Sequence, residues 1–151
     1  ELADERLEQA VAMYRGELFA DEPHAEWIAA ERDRLHALAS SCMRELAELR
    51  ITGEDLRRAL PVLERLAALE PLDVEVHRSL LQVCIAQGRR KETTRRFASY
   101  KARMASELGQ GPGFTLADVG FSRREETPVH PAGERSAGRR RPAGRPLDAR
   151  R

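Results

Sequence analysis

The chain has 151 residues, 41% of them apolar and only 5% aromatic, the size of about one domain and too poor in aromatic residues for a β-sandwich or barrel. Its net charge of +1 is unevenly divided. Residues 1–121 hold 17 Lys and Arg against 21 Asp and Glu, whereas residues 122–151 hold nine Arg against four acids, which argues against a broad nucleic-acid-binding face on the body.

Leu, Ala, Glu and Arg dominate, and all are strong helix formers, so an all-α fold of about five helices is expected. The chain opens on Glu1 already in a helical pattern, which suggests a piece of a longer protein. Leu7, Val11, Tyr14 and Leu18 form the first stripe, predicting a helix over residues 2–18 with Gly16 near its end; Pro23 restricts Glu22 and stops it. A long second helix is predicted over 25–50, with Trp27, Leu35, Leu38, Cys42, Leu46 and Leu49 buried and Gly53 as a left-handed cap. The third, over 54–69, carries Leu56, Leu60, Leu63, Leu66 and Ala67 inward and contains Pro61, a kink if it is interior.

Glu70-Pro71-Leu72-Asp73 reads as a turn, with Asp73 capping a fourth helix over 74–87 whose core side is Val76, Leu80, Leu81, Val83 and Cys84. Gly88 stops it. The fifth runs over 91–108 with Phe97, Tyr100 and Met104 inward and Gly109 as its stop. Phe114, Leu116, Val119 and Phe121 are too apolar to stay in water and should dock as a short turn. From Ser122 on, four prolines, several glycines and nine arginines replace large apolar residues, a composition expected to be disordered. The expected division is a helical repeat domain over 1–121 and an Arg/Pro/Gly-rich tail over 122–151.

Two helix pairs align when shifted by 34: Leu46 with Leu80, Ala59 with Thr93, Leu63 with Phe97 and Leu66 with Tyr100, while Gly53 and Gly88 lie 35 apart. That period is the tetratricopeptide one, in which a small residue lets paired helices approach and a larger one fills the groove between units. Thr93 in place of a small alanine, and Pro112 out of register with Pro71, mark the units as divergent.

A family likeness rests on landmarks in order: Leu7 to Leu18 with its Tyr14-Arg15-Gly16 step, Asp21-Glu22-Pro23-His24-Ala25-Glu26-Trp27, Glu31-Arg32-Asp33-Arg34-Leu35, Leu69-Glu70-Pro71-Leu72, His77-Arg78-Ser79-Leu80-Leu81, Gly88-Arg89-Arg90 and Glu107-Leu108-Gly109. Over roughly residues 5–120 the chain resembles the bacterial transcriptional activator domain of antibiotic-regulatory-protein-type regulators. The resemblance implies a tetratricopeptide-like module that makes protein contacts in transcription regulation, beside a winged-helix DNA-binding domain that no strand-rich segment here could supply. A stand-alone adaptor and an accessory domain of a signalling enzyme are the alternatives.

No phosphate-binding, dinucleotide-binding or zinc-protease motif is present, and no catalytic residue, cofactor or metal is expected. His36 near Glu31 or Asp33, and His77 four residues after Asp73, read as surface hydrogen-bonded pairs; Ser40-Ser41 lack an evident base; Cys42 and Cys84 read as small buried hydrophobes. Trp27 is either a partner anchor or a core anchor where the first two helices meet. Arg89, Arg90, Lys91, Arg95 and Arg96 form a basic patch that could dock a protein or be a solvated helix start. Arg139-Arg140-Arg141, Arg145, Arg150 and Arg151 could give the tail a weak, nonspecific nucleic-acid contact. No apolar run nears the ~20 residues of a membrane span and nothing reads as a signal peptide, so the expected setting is the cytoplasm, without membrane contact.

Overall fold

A computed structural model describes residues 2–16 and 26–122. Within them are five α-helices and no strand: α1 (Leu2–Met13), α2 (Ala29–Thr52), α3 (Leu56–Leu69), α4 (Val74–Ala86) and α5 (Arg90–Leu108), with single 3₁₀ turns at Glu26–Ile28 and Ala117–Val119. Each helix packs mainly on the next in sequence, α1 on α2, α2 on α3, α3 on α4 and α4 on α5, and the second 3₁₀ turn lies on α4. This nearest-neighbour stacking is that of a helical repeat array. Leu18 and residues 123–151 of the tail expected to be disordered lie outside the described residues.

The repeat holds at the level of single hydrogen bonds. In the α2–α3 turn the N–H groups of Gly53, Glu54, Asp55 and Ala59 donate to the carbonyls of Leu49, Ile51, Arg50 and Asp55. In the α4–α5 turn those of Gln87, Gly88, Arg89 and Thr93 donate to Val83, Ile85, Cys84 and Arg89, each partner 34 residues on. The pairing corrects the expected glycine alignment. Gly53 sits at φ −80°, and the left-handed residue is Glu54 at φ 60°, equivalent to Gly88 at φ 72°. Ala59 and Thr93 are both fully buried. The Thr93 hydroxyl donates to the Arg89 carbonyl of its own helix at 3.0 Å, so a polar atom occupies the small-residue position without being stranded.

Several boundaries differ from expectation. The first helix ends at Met13, not Leu18; Tyr14 and Arg15 leave helical geometry ahead of Gly16 at φ 141°. The second begins at Ala29 after its 3₁₀ turn, and at 24 residues spans about 36 Å. Asp55 caps α3 by accepting from the Arg58 N–H, and Asp73 caps α4 through Val76, as the turn sequence requires. Pro61 lies inside α3, which continues through it to Leu69.

The buried face of α2 is Ala39, Met43, Leu46, Ala47 and Arg50, rotated by about one residue from the Leu35–Leu38–Cys42–Leu49 line. Leu38 is 53% exposed and Leu49 is exposed as well. Leucines outweigh alanines in a hydropathy reading, but the close contact with α1 and α3 selects the small Ala39 and Ala47. One cluster joins these residues to Val11, Leu60, Leu63, Leu66, Val76 and Leu80. A second gathers Leu81, Tyr100, Met104, Phe114 and Val119, so the segment after α5 docks as expected and covers the last helix pair.

Candidate functional site

Two polar constellations stand out, one holding the array together and one open to solvent. In the first, Asp4 and Glu8 lie on the same side of α1 as Leu7 and Val11, and Arg50 on the buried side of α2. Arg50 Nε donates to Asp4 Oδ1 at 2.8 Å, its Nη2 lies 2.9 Å from Glu8 Oε1, and its Nη1 donates to the Arg58 carbonyl of α3. Arg58 Nη2 reaches Asp4 and Glu8 at 2.7 and 2.9 Å. Arg50, then Arg58, holds the Asp4 and Glu8 carboxyls below the usual carboxylate range against the opposing effect of burial. No buried side-chain nitrogen or oxygen among the described residues lacks a partner, and this cluster ties α1 to α2 and α3 while Glu8 and Arg58 stay half exposed.

The second is a groove of about 360 Å³ between α3, α4 and α5. Its floor is Ala67 and Leu80 with the Tyr100 ring, which stacks on His77 at 3.9 Å between centroids. Tyr100 Oη donates to the Leu72 carbonyl and His77 Nε2 lies 3.1 Å from the Pro71 carbonyl, so both rings are pinned to the turn before α4. Burial holds the His77 pKa down; the Pro71 contact and Asp73 oppose it, and Arg103 and Arg96 push the same way as burial. Arg95, Arg96 and Arg103 line the α5 side at helical spacing, and Glu64 faces them from α3. Arg96 closes one end, paired with Glu92 at 2.6 Å and with Glu64.

The expected basic patch is therefore divided. Arg95 and Arg96 line the groove. Arg89 pairs with Glu92 at 3.3 Å, and Arg90 lies over the Phe121 ring at 4.6 Å and donates to the Ser122 carbonyl. Lys91 is exposed. Trp27, 76% exposed, is not a core anchor; Ile28 beside it is the buried residue. It lies away from the groove lining.

The groove's Glu64, His77, Ser99, Tyr100 and Arg103 do not stand out as a group in the sequence. Their signal is the i, i+4, i+7 spacing of Arg96, Tyr100 and Arg103, masked because Tyr100 also serves the core. His36 lies 3.7 Å from Glu70, not against Glu31, which pairs with Arg34. His77 contacts Pro71 and Tyr100 in place of Asp73, whose carboxylate takes Arg44 at 2.6 Å. Ser40 donates to Glu70 at 2.8 Å. Cys42 and Cys84 are both free thiols; Cys84 is fully buried and Cys42 half-buried. Among the described residues no cluster of His, Cys, Asp or Glu could hold a metal, and no helix is long and apolar enough to cross a membrane.

A family model described as the bacterial transcriptional activator domain matches residues 1–120. No curated protein and no solved structure matches the chain.

Proposed function

Because the chain belongs to the bacterial transcriptional activator domain family, we propose that it is the regulatory protein-contact module of a cytoplasmic transcription regulator, and not an enzyme. The observation that carries this reading is the pairing of that membership with a helical array that carries, between α3, α4 and α5, a groove with arginines along one side and an apolar floor. On this reading the groove holds a partner and does not transform it.

Base reading belongs, in this proposal, to a separate DNA-binding domain. The described residues contain no strand from which a winged helix could be made, and residues 1–121 carry more acids than bases. Residues 1–121 act as the module, and the arginines of 122–151 give at most a salt-sensitive, sequence-independent attraction to phosphates.

The test is to fuse the full chain to an unrelated DNA-binding domain and measure transcription from a bacterial promoter bearing that domain's site. The fusion raises transcription above the DNA-binding domain alone. A fusion that is expressed and folded but leaves transcription at that baseline rules the activator reading out.

A further inference from the structure

Resting on that protein-contact reading, we propose that the groove between α3, α4 and α5 receives an acidic segment of the partner protein, one in which Asp or Glu alternates with small residues. The cations are placed for it. Arg95 is exposed and has no ion-pair partner among the described residues. Arg103 reaches only Glu107, at 3.8 Å with both side chains half exposed, a pair weak enough to exchange. Arg96 is already tied to Glu92 and Glu64, so the positive charge left to meet a ligand is that of Arg95 and Arg103. Glu64 is the one acid in the lining.

The floor decides between an isolated anion and a peptide. Ala67, Leu80 and the Tyr100 ring offer apolar surface between the cations, which an inorganic anion would leave wet and a segment with small side chains covers. Burial holds the His77 pKa down, with Arg103 and Arg96 pushing the same way against Pro71 and Asp73, so the attraction for an acidic segment rests on the arginines. The excess of acids over residues 1–121 decides between peptide and nucleic acid. A duplex presents an extended row of charge that meets the field of the whole body, whereas a short acidic segment meets only the local cations.

The experiment is a fluorescence anisotropy titration of the full chain with a short labelled peptide of alternating Glu and Ala, beside its Lys–Ala counterpart, at low and moderate salt. The acidic peptide binds and the basic one does not. Reversing two solvent-facing groove charges together, Arg95→Glu with Arg103→Glu, weakens binding about tenfold or more. Arg57→Glu, an exposed reversal on α3 outside the groove, does not. The arginines of 122–151 are the same in all three proteins, so binding there cannot produce the difference.

A second readout is the titration midpoint of the His77 imidazole by NMR, which rises when carboxylates settle beside Arg103 and Arg96. Equal binding by wild type and the double variant, or an unmoved His77 midpoint under saturating peptide, overturns the proposal. So does a duplex that displaces the peptide and is itself weakened by the two reversals, since the groove would then be a nucleic-acid site. The promoter fusion separates the two readings. If the peptide fails to bind but the fusion activates, the groove inference alone is wrong; if the peptide binds as described and the fusion is silent, the activator reading is the one that fails.

Discussion

Arg50 and Asp4 meet at 2.8 Å across the α1–α2 contact, with Arg50 only 4% exposed. Two opposite charges thus occupy positions that, by the spacing of their neighbours, belong to apolar stripes. A buried pair of this kind is costly to break and cheap to replace as a unit. Arg50→Met alone leaves Asp4 buried without its main partner and should destabilise the domain by about 3 kcal/mol. Asp4→Leu with Arg50→Met should recover most of that. Urea unfolding of the wild type, both single variants and the double gives the coupling; additive losses would show that the two residues act independently.

The same cluster sets an acid dependence. Arg50's hydrogen bonds hold the Asp4 and Glu8 pKa values below their unfolded values. The folded state therefore binds fewer protons than the unfolded one in that interval. Their contribution to stability is fully present above about pH 5 and is lost as pH falls through the lowered folded values, below about pH 4. Asp4→Asn should be less stable than wild type at pH 7, with the difference between the two narrowing as pH falls below about 4. Parallel curves across that range would remove Asp4 from the acid-sensitive set.

Glu54 holds a left-handed backbone at φ 60° where the equivalent residue in the next unit is Gly88. A side chain there costs on the order of 1 kcal/mol. Glu54 is exposed, so Glu54→Gly should stabilise by about that amount, and Gly88→Ala should destabilise by a similar one. Thermal melts of the two variants should shift in opposite directions.

Leu63 and Phe97 are equivalent in the 34-residue shift but not in burial. Leu63 is 2% exposed inside the larger cluster, while Phe97 is only partly buried against the smaller one. Leu63→Ala should cost about 3 kcal/mol and Phe97→Ala about half as much, despite the larger side chain. A greater loss at Phe97 would place the main core on the α4–α5 side.

Much of the fold was legible because its signals are local. Asp73 and Gly88 mark turns through their own backbone chemistry, and the 34-residue interval shows in Leu46, Leu66, Leu80 and Tyr100. The illegible part depends on which neighbour arrives. The true face of α2 turns on Ala39 and Ala47, whose smallness matters only once α1 and α3 close on them. Arg50 looks like a surface residue until Asp4 is brought to it from 46 positions away. The groove was half visible: Arg95 and Arg96 stand out in the sequence, but as part of a run with Arg89 and Arg90, which the fold turns toward Glu92 and Phe121.

The identical spacing of the turn hydrogen bonds around Glu54 and Gly88 has a bearing on length. A unit whose inner turn recurs after 34 residues can be copied without disturbing the phase of the helices beyond it. Inserting a second copy of residues 40–73 after Asp73 would bring a new Asp73 to cap α4 and a new Pro71 to precede it, with Phe114 and Val119 still closing the far end. The number of units is then a free variable for the engineer of this scaffold, while the closing segment after α5 has to travel with the last of them.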